Sequence, residues 1–126
     1  MDEQQILRLA ERFLGAVQAG DIDTARACYA PDAKLWRNTD NMEQTVDQNM
    51  KVLGWFACKL PDRKYRVLRR EALKDGFMQQ HVLEATLPNG APWKLSACLV
   101  VKMENGLITR LDEYLDSAET AALNGI

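Results

Sequence analysis

The chain reads as an α+β domain in which a curved antiparallel sheet wraps around three N-terminal helices, giving a cone with a central pocket. Apolar residues recur at helical spacing in the first half. The second half is punctuated at nearly even intervals by Asp75-Gly76, Asn89-Gly90 and Asn105-Gly106, and the segments between them alternate. Such pairs accept the positive φ angles of tight hairpins, so four successive strands join most economically as an antiparallel meander. Helices at one end and a strongly bent sheet at the other leave a cavity between the layers, a common place for a small ligand.

Ile6, Ala10, Phe13, Leu14 and Val17 predict an amphipathic helix from Asp2 to about Ala19, stopped by Gly20. Asp21 is placed to cap a second, shorter helix carrying Ile22, Ala25, Cys28 and Tyr29, which Pro31 ends. A first strand follows at Ala33 to Asn38, then a loop at Thr39-Asp40-Asn41. Val46, Met50, Leu53, Ala57 and Leu60 mark a third helix, with Thr45 and Gln48 spaced as a capping box and Pro61 closing it. The meander strands run near Tyr65 to Leu73, Phe77 to Leu87, Trp93 to Met103 and Leu107 to Leu115, before a frayed tail from Ser117.

At 126 residues the chain is expected to form one domain, residues 1–126, with a core of its own. Sixteen basic against eighteen acidic residues give a net charge of −2 without a block of like charge, which argues against nucleic acid as a partner. The only basic cluster, Asp62-Arg63-Lys64-Tyr65-Arg66 with Arg69-Arg70, is interrupted by acids and reads as a solvated strand face. The N-terminus is acidic where a secretory signal is basic, and no apolar run reaches membrane-spanning length, so the expected location is cytoplasmic. Cys28, Cys58 and Cys98 are odd in number and lack a C-x-x-C pair, so they read as buried free thiols.

Function enters through the polar interruptions of apolar rows. Alternate strand residues share a face, so Leu95, Ala97, Leu99, Val101 and Met103 form an inward row. On the last strand Leu107, Leu111 and Leu115 share a row with Thr109 and Glu113, and on the second meander strand Phe77, Leu83, Ala85 and Leu87 accompany Gln79 and His81, the one histidine in the chain. A polar group aimed at a core costs free energy unless it is paired or used. A carboxylate among leucines is expected to be harder to ionise, and a nearby imidazole to exchange protons with it or pair with it as a cation. Glu113 and His81 are therefore the candidate catalytic pair. The alternative for each is structural: a hydrogen-bonded core histidine, and a rim glutamate satisfied by an arginine. Ser96 and Ser117 lie in no nucleophile elbow, the seven glycines form no G-x-G loop, and one histidine does not make a histidine-rich metal site, so neither a cofactor nor a metal is expected.

Phe13 through Asp21 (FLGAVQAGD), Tyr29 through Asn38 (YAPDAKLWRN), the Leu87-Pro88-Asn89-Gly90 turn and Gly106 through Asp116 (GLITRLDEYLD) resemble the SnoaL-like branch of the nuclear-transport-factor-2-like superfamily across nearly the whole chain. Members include polyketide cyclases, ketosteroid isomerases, limonene epoxide hydrolases and dehydratases, and the resemblance implies a deep pocket for a small polyketide-, terpenoid- or steroid-like molecule. The isomerase machinery is not matched, since its three key positions fall at Phe13, Arg37 and Cys98 or Leu99. Limonene epoxide hydrolase gives a nearer outline. Its water-activating carboxylate matches Glu113, its water-holding asparagine Asn38 beside Trp36, its acid aspartate His81 and its bridging arginine Gln79. A one-residue slip in the first strand exchanges Asn38 for Arg37 in the pocket, because slips reverse faces.

The sequence, with the resemblance, thus predicts a cofactor-independent acid–base enzyme of hydrolase, isomerase, cyclase or dehydratase type acting on a small, largely apolar metabolite, with hydrolysis or isomerisation favoured over redox chemistry. Glu113 and His81 transfer protons, Asn38 or Arg37 orients water or a substrate oxygen, and Phe13, Leu83, Leu95, Ala97, Leu99 and Leu111 form the walls with Trp36 and Gln79. A homodimer is expected through the exposed sheet face, where Val82, Val100 and Tyr114 interrupt polar residues. The rival reading is a ligand-binding or dimeric interaction module without catalysis.

Overall fold

The computed structural model describes residues 1–126. Helix α1 (Glu3–Ala19) starts at a capping box in which Asp2 and Gln5 exchange side-chain and backbone hydrogen bonds. It stops at Gly20, whose φ of 73° satisfies the last carbonyls in a left-handed turn. Helix α2 (Ile22–Ala27) is capped by Asp21 and ends at Cys28, earlier than expected. Tyr29 already belongs to strand β1 (Tyr29–Arg37), and Pro31 sits inside that strand where its pairing is interrupted between Tyr29 and Lys34, a place where the missing N–H is tolerated.

Strand β2 (Met42–Thr45) is a short polar edge strand that the sequence reading missed. Its residues carry no alternation, and the turn before it relies on Asn41 at φ 53°. Helix α3 (Val46–Lys59) follows with the Thr45–Gln48 capping box. The meander comprises β3 (Lys64–Leu73), β4 (Gly76–Thr86), β5 (Pro92–Glu104) and β6 (Leu107–Leu115). The tail is not frayed throughout: Ser117–Ala121 forms helix α4, capped by Asp116. No helix is long and apolar enough to cross a membrane.

All strands join one sheet in the order β2-β1-β6-β5-β4-β3. Its meander is antiparallel, whereas β1 pairs with β6 in parallel, so the sheet is mixed. The main core lies between the inner sheet face and α1, where Ile6, Ala10, Phe13 and Leu14 meet Phe77, Leu99, Val101, Ile108 and Leu111. A second cluster of Leu60, Leu83, Leu87, Trp93 and Leu95 is covered by Leu123 and Ile126 of the tail.

Two bulges revise the expected faces. In β6, Met103 pairs with Ile108 and Lys102 with Arg110, leaving Thr109 as the extra residue. Ile108, expected outside, is fully buried, while Leu107 is only partly so. In β3 the extra residue is Leu68, between the pairs Val67–His81 and Arg69–Gln80. Tyr65 and Arg70, of opposite parity, consequently share the inner face. The supposed solvated basic cluster is corrected in the same way: Arg63 is buried, and Arg70 turns inward. Of the cysteines, only Cys28 is buried; Cys58 is exposed and Cys98 half-buried.

Candidate active site

A cavity of about 250 Å³ opens between the sheet and α3, and a smaller lobe of about 70 Å³ runs deeper beneath α1. Val17, Arg37, Asn49, Tyr65, His81 and Glu113 line both. Leu83, Leu95 and Ala97 wall the larger space, and Phe13, Leu99 and Leu111 the deeper one. The larger lobe lies just below the usual ligand-site range of about 300–1,000 Å³, which suits a small molecule.

Strand register builds the polar centre. Arg37 of β1 stands directly beside Glu113 of β6, and Glu113 opposite Leu99 of β5. Arg37 Nε donates to Glu113 Oε1 at 2.8 Å, with side chains 19% and 25% exposed. Arg37, not Asn38, is therefore the pocket residue. Asn38 leaves the pocket to clamp the end of β6, its Oδ1 accepting from Leu115 N at 2.8 Å and its Nδ2 donating to Leu115 O at 3.2 Å. That clamp fixes the strand segment carrying Glu113.

His81 lies on β4, two strands from Glu113, with Ala97 and Leu99 of β5 in the intervening row. At about 4.8 Å per strand step the two backbones are about 10 Å apart. No hydrogen bond joins these side chains, so the expected direct pair is corrected: each residue has another partner. The partner of His81 is Gln79, whose Nε2 is 3.0 Å from His81 Nδ1. Burial, and then the positive charge of Arg70, push the imidazole down to a pKa of about 4. It is thus neutral at pH 7, not a cation facing Glu113. Gln79 is itself fully buried and stands behind the cavity wall rather than on it. Trp36 borders the deeper lobe, but its indole packs edge-on against Tyr114 at 5.3 Å and donates to Asn41.

Sequence reading missed Tyr29, Tyr65 and Asn49. Burial raises both phenol pKa values, and the negative charge of Glu113 raises them further, so both remain protonated. Tyr65 leans on the His81 ring at 5.1 Å between centroids. Asn49 interrupts the inner stripe of α3 one turn before Leu53, a signal of the same kind that exposed Gln79 and His81 on β4. The arrangement offers a carboxylate with one oxygen held by a guanidinium, faced across an apolar space by a neutral imidazole and phenols.

A profile of the SnoaL-like domain matches residues 10–111. Among solved structures, the chain is similar to IdmH from Streptomyces antibioticus, described as a polyketide cyclase, at 18% identity and a TM-score of 0.82 over 97% of this chain and 99% of that one. It is also similar to an LEH-like epoxide hydrolase from M. tuberculosis, at 18% identity and a TM-score of 0.76 over 95% and 89% of the two chains. A third similar structure is a protein of ketosteroid isomerase-like fold from Catenulispora acidiphila in complex with trimethylamine, at 11% identity and a TM-score of 0.78 over 94% and 92%. At these identities the likeness is one of fold. No curated protein sequence matches.

Proposed function

The chain belongs to the SnoaL-like family, and on that premise we propose that it is a cofactor-independent acid–base enzyme acting on a small, largely apolar metabolite held in the cone. The observation that carries the reading is Glu113: its carboxylate lines an apolar cavity, one oxygen accepts from Arg37, and the other has no protein partner. An acceptor oxygen in that position takes a proton from a water molecule or from a carbon next to a carbonyl. In the first case the water attacks an electrophilic carbon such as that of an epoxide, the C–O bond breaks, and the released oxygen takes a proton from solvent, to which Glu113 returns the one it took from the attacking water. In the second, the carbon–hydrogen pair of electrons moves into an enolate, which takes the proton back from the Glu113 carboxylic acid at another carbon. Either way, negative charge develops on a substrate oxygen on the far side from Glu113. The role of His81 is to meet that oxygen, so the two residues work through the substrate and not by direct contact.

The rival reading, a binding or interaction module, has its own support in the pairing of Arg37 with Glu113 and of Gln79 with His81, which gives each group one partner without a ligand. Incubating the protein with a panel of small epoxides and enolisable ketones separates the two. Turnover by the native protein that is lost in Glu113→Gln supports the enzyme. Binding without turnover, equal in both proteins, supports the module.

A further inference from the structure

The three polar side chains that cross β3 and β4 form a directed chain. Arg70 Nε donates to Gln79 Oε1 at 2.7 Å, and Gln79 Nε2 meets His81 Nδ1 at 3.0 Å. A guanidinium has no acceptor, so it fixes which end of the Gln79 amide is oxygen. The amide nitrogen then faces His81 and donates, and Nδ1 must accept. The single proton of the neutral ring is left on Nε2, which has no protein partner and is not sealed, because the one buried side-chain polar atom without a partner is Arg63 Nε. His81 lines the cavity that Glu113 also lines.

We propose that Arg70, acting through Gln79, holds His81 as an Nε2–H donor to the cavity, and that the cavity ligand is a neutral molecule presenting an oxygen acceptor there. Arg70 is a positioning residue, since it reaches the ligand only through two other side chains. The Leu68 bulge makes the chain available, because without it Arg70 would point outward. With its lone pair committed to Gln79, His81 is not a base. It is suited to a carbonyl, ether or epoxide oxygen, and its bond strengthens as that oxygen gains negative charge, as a neutral imidazole does in other proton-transfer sites. Burial of the ring and then the Arg70 charge on β3 oppose protonation; the Tyr65 phenol beside the ring is uncharged, and Glu113 on β6 and Arg37 on β1 balance one another.

The inference rests on the proposed function for the purpose of the donor, but not for its existence, which is read without a substrate. His81 is the only histidine in the chain, so a long-range proton–nitrogen NMR correlation spectrum of protein labelled at histidine reports it alone. The native protein should show one tautomer, protonated at Nε2, unchanged across neutral pH. Arg70→Met should convert it to a mixture of tautomers, and Arg70→Lys, which restores a donor, should return it. Gln79→Glu, whose carboxylate only accepts, should move the proton to Nδ1. Backbone amide spectra establish that each variant is folded, and Gln79→Glu serves if Arg70→Met is not. A native ring protonated at Nδ1, or an unchanged pattern in both Arg70→Met and Gln79→Glu, overturns the chain. For the ligand, cyclohexanone and cyclohexene oxide at millimolar concentration should shift the Nε2 resonance, and methylcyclohexane should not. Equal shifts, or none from either oxygenated probe, overturn the ligand class. A correct tautomer together with a fully active Glu113→Gln protein would sink only the role of Glu113 as base, and a correct tautomer with no turnover of either probe class only the enzymatic reading.

Discussion

Arg37 and Glu113 occupy equivalent register positions on two parallel strands, and each is the other's closest compensation in a wall of Leu99 and Leu111. Glu113→Gln keeps an acceptor for Arg37 Nε, so it should cost about 1 kcal/mol of stability while removing the proposed base. Arg37→Met leaves a carboxylate without its donor beside those leucines and should cost about 2–3 kcal/mol. Urea unfolding of both variants checks the order. His81 gives the pH signature. Its folded pKa of about 4 lies below the ordinary 6.5, so between these values the unfolded chain binds more protons than the folded one. The stability contribution is present above about pH 6.5 and is lost as pH falls toward about 4, by roughly 3 kcal/mol. His81→Gln should flatten that part of the profile in urea titrations from pH 7 to pH 4. The polar breaks at Gln79, His81 and Glu113 were legible because alternation alone exposes them. Their partners were not, since Arg37 arrives from a strand 76 residues from Glu113 and Arg70, only nine residues from Gln79, is brought to the inner face by the Leu68 bulge.

At the scale of elements, the hairpins show what dipeptide signals carry. Asn105 and Gly106 have φ of 53° and 79°, the positive values a two-residue turn requires. Gly76 has an ordinary φ and is needed for another reason. A Cβ there would lie 1.8 Å from Val101 O, so only glycine lets β4 approach β5 at that point. Gly90, at φ 88°, has open space around it. Gly76→Ala should therefore cost at least about 2–3 kcal/mol by displacing a strand. Gly90→Ala should cost about 1 kcal/mol, through backbone conformation alone. Thermal or urea unfolding of the two variants tests the contrast. Helix boundaries were readable from caps such as Asp21 and Thr45, whose side chains do bond the first turns. The bulges at Leu68 and Thr109 were not readable, because one inserted residue inverts the phase of all that follows without leaving a mark in composition.

For the whole molecule, the cone leaves its outer sheet face partly apolar. Leu68, Val100 and Tyr114 are 58%, 39% and 46% exposed, with Trp36 packed against Tyr114. Val82, expected among them, is instead buried on β4, flanked by Arg66 of β3 and Ser96 of β5. Association of two copies through this face is the expected use of it, and Val100→Glu should turn a dimeric mass in light scattering into a monomeric one. A native protein that is monomeric at micromolar concentration would remove that expectation and leave the cavity untouched, since the site lies on the opposite face. The central claim concerns that cavity: Glu113 moves a proton on a small neutral substrate. The most direct measurement is mass spectrometry of epoxide and ketone substrates turned over in water labelled with deuterium and heavy oxygen. The account predicts enzyme-dependent label, either heavy oxygen at an opened epoxide or deuterium at the carbon next to a carbonyl, at a rate reduced at least about a hundredfold in Glu113→Gln. Label incorporated equally by the native and Glu113→Gln proteins, or by neither across the panel, would contradict it.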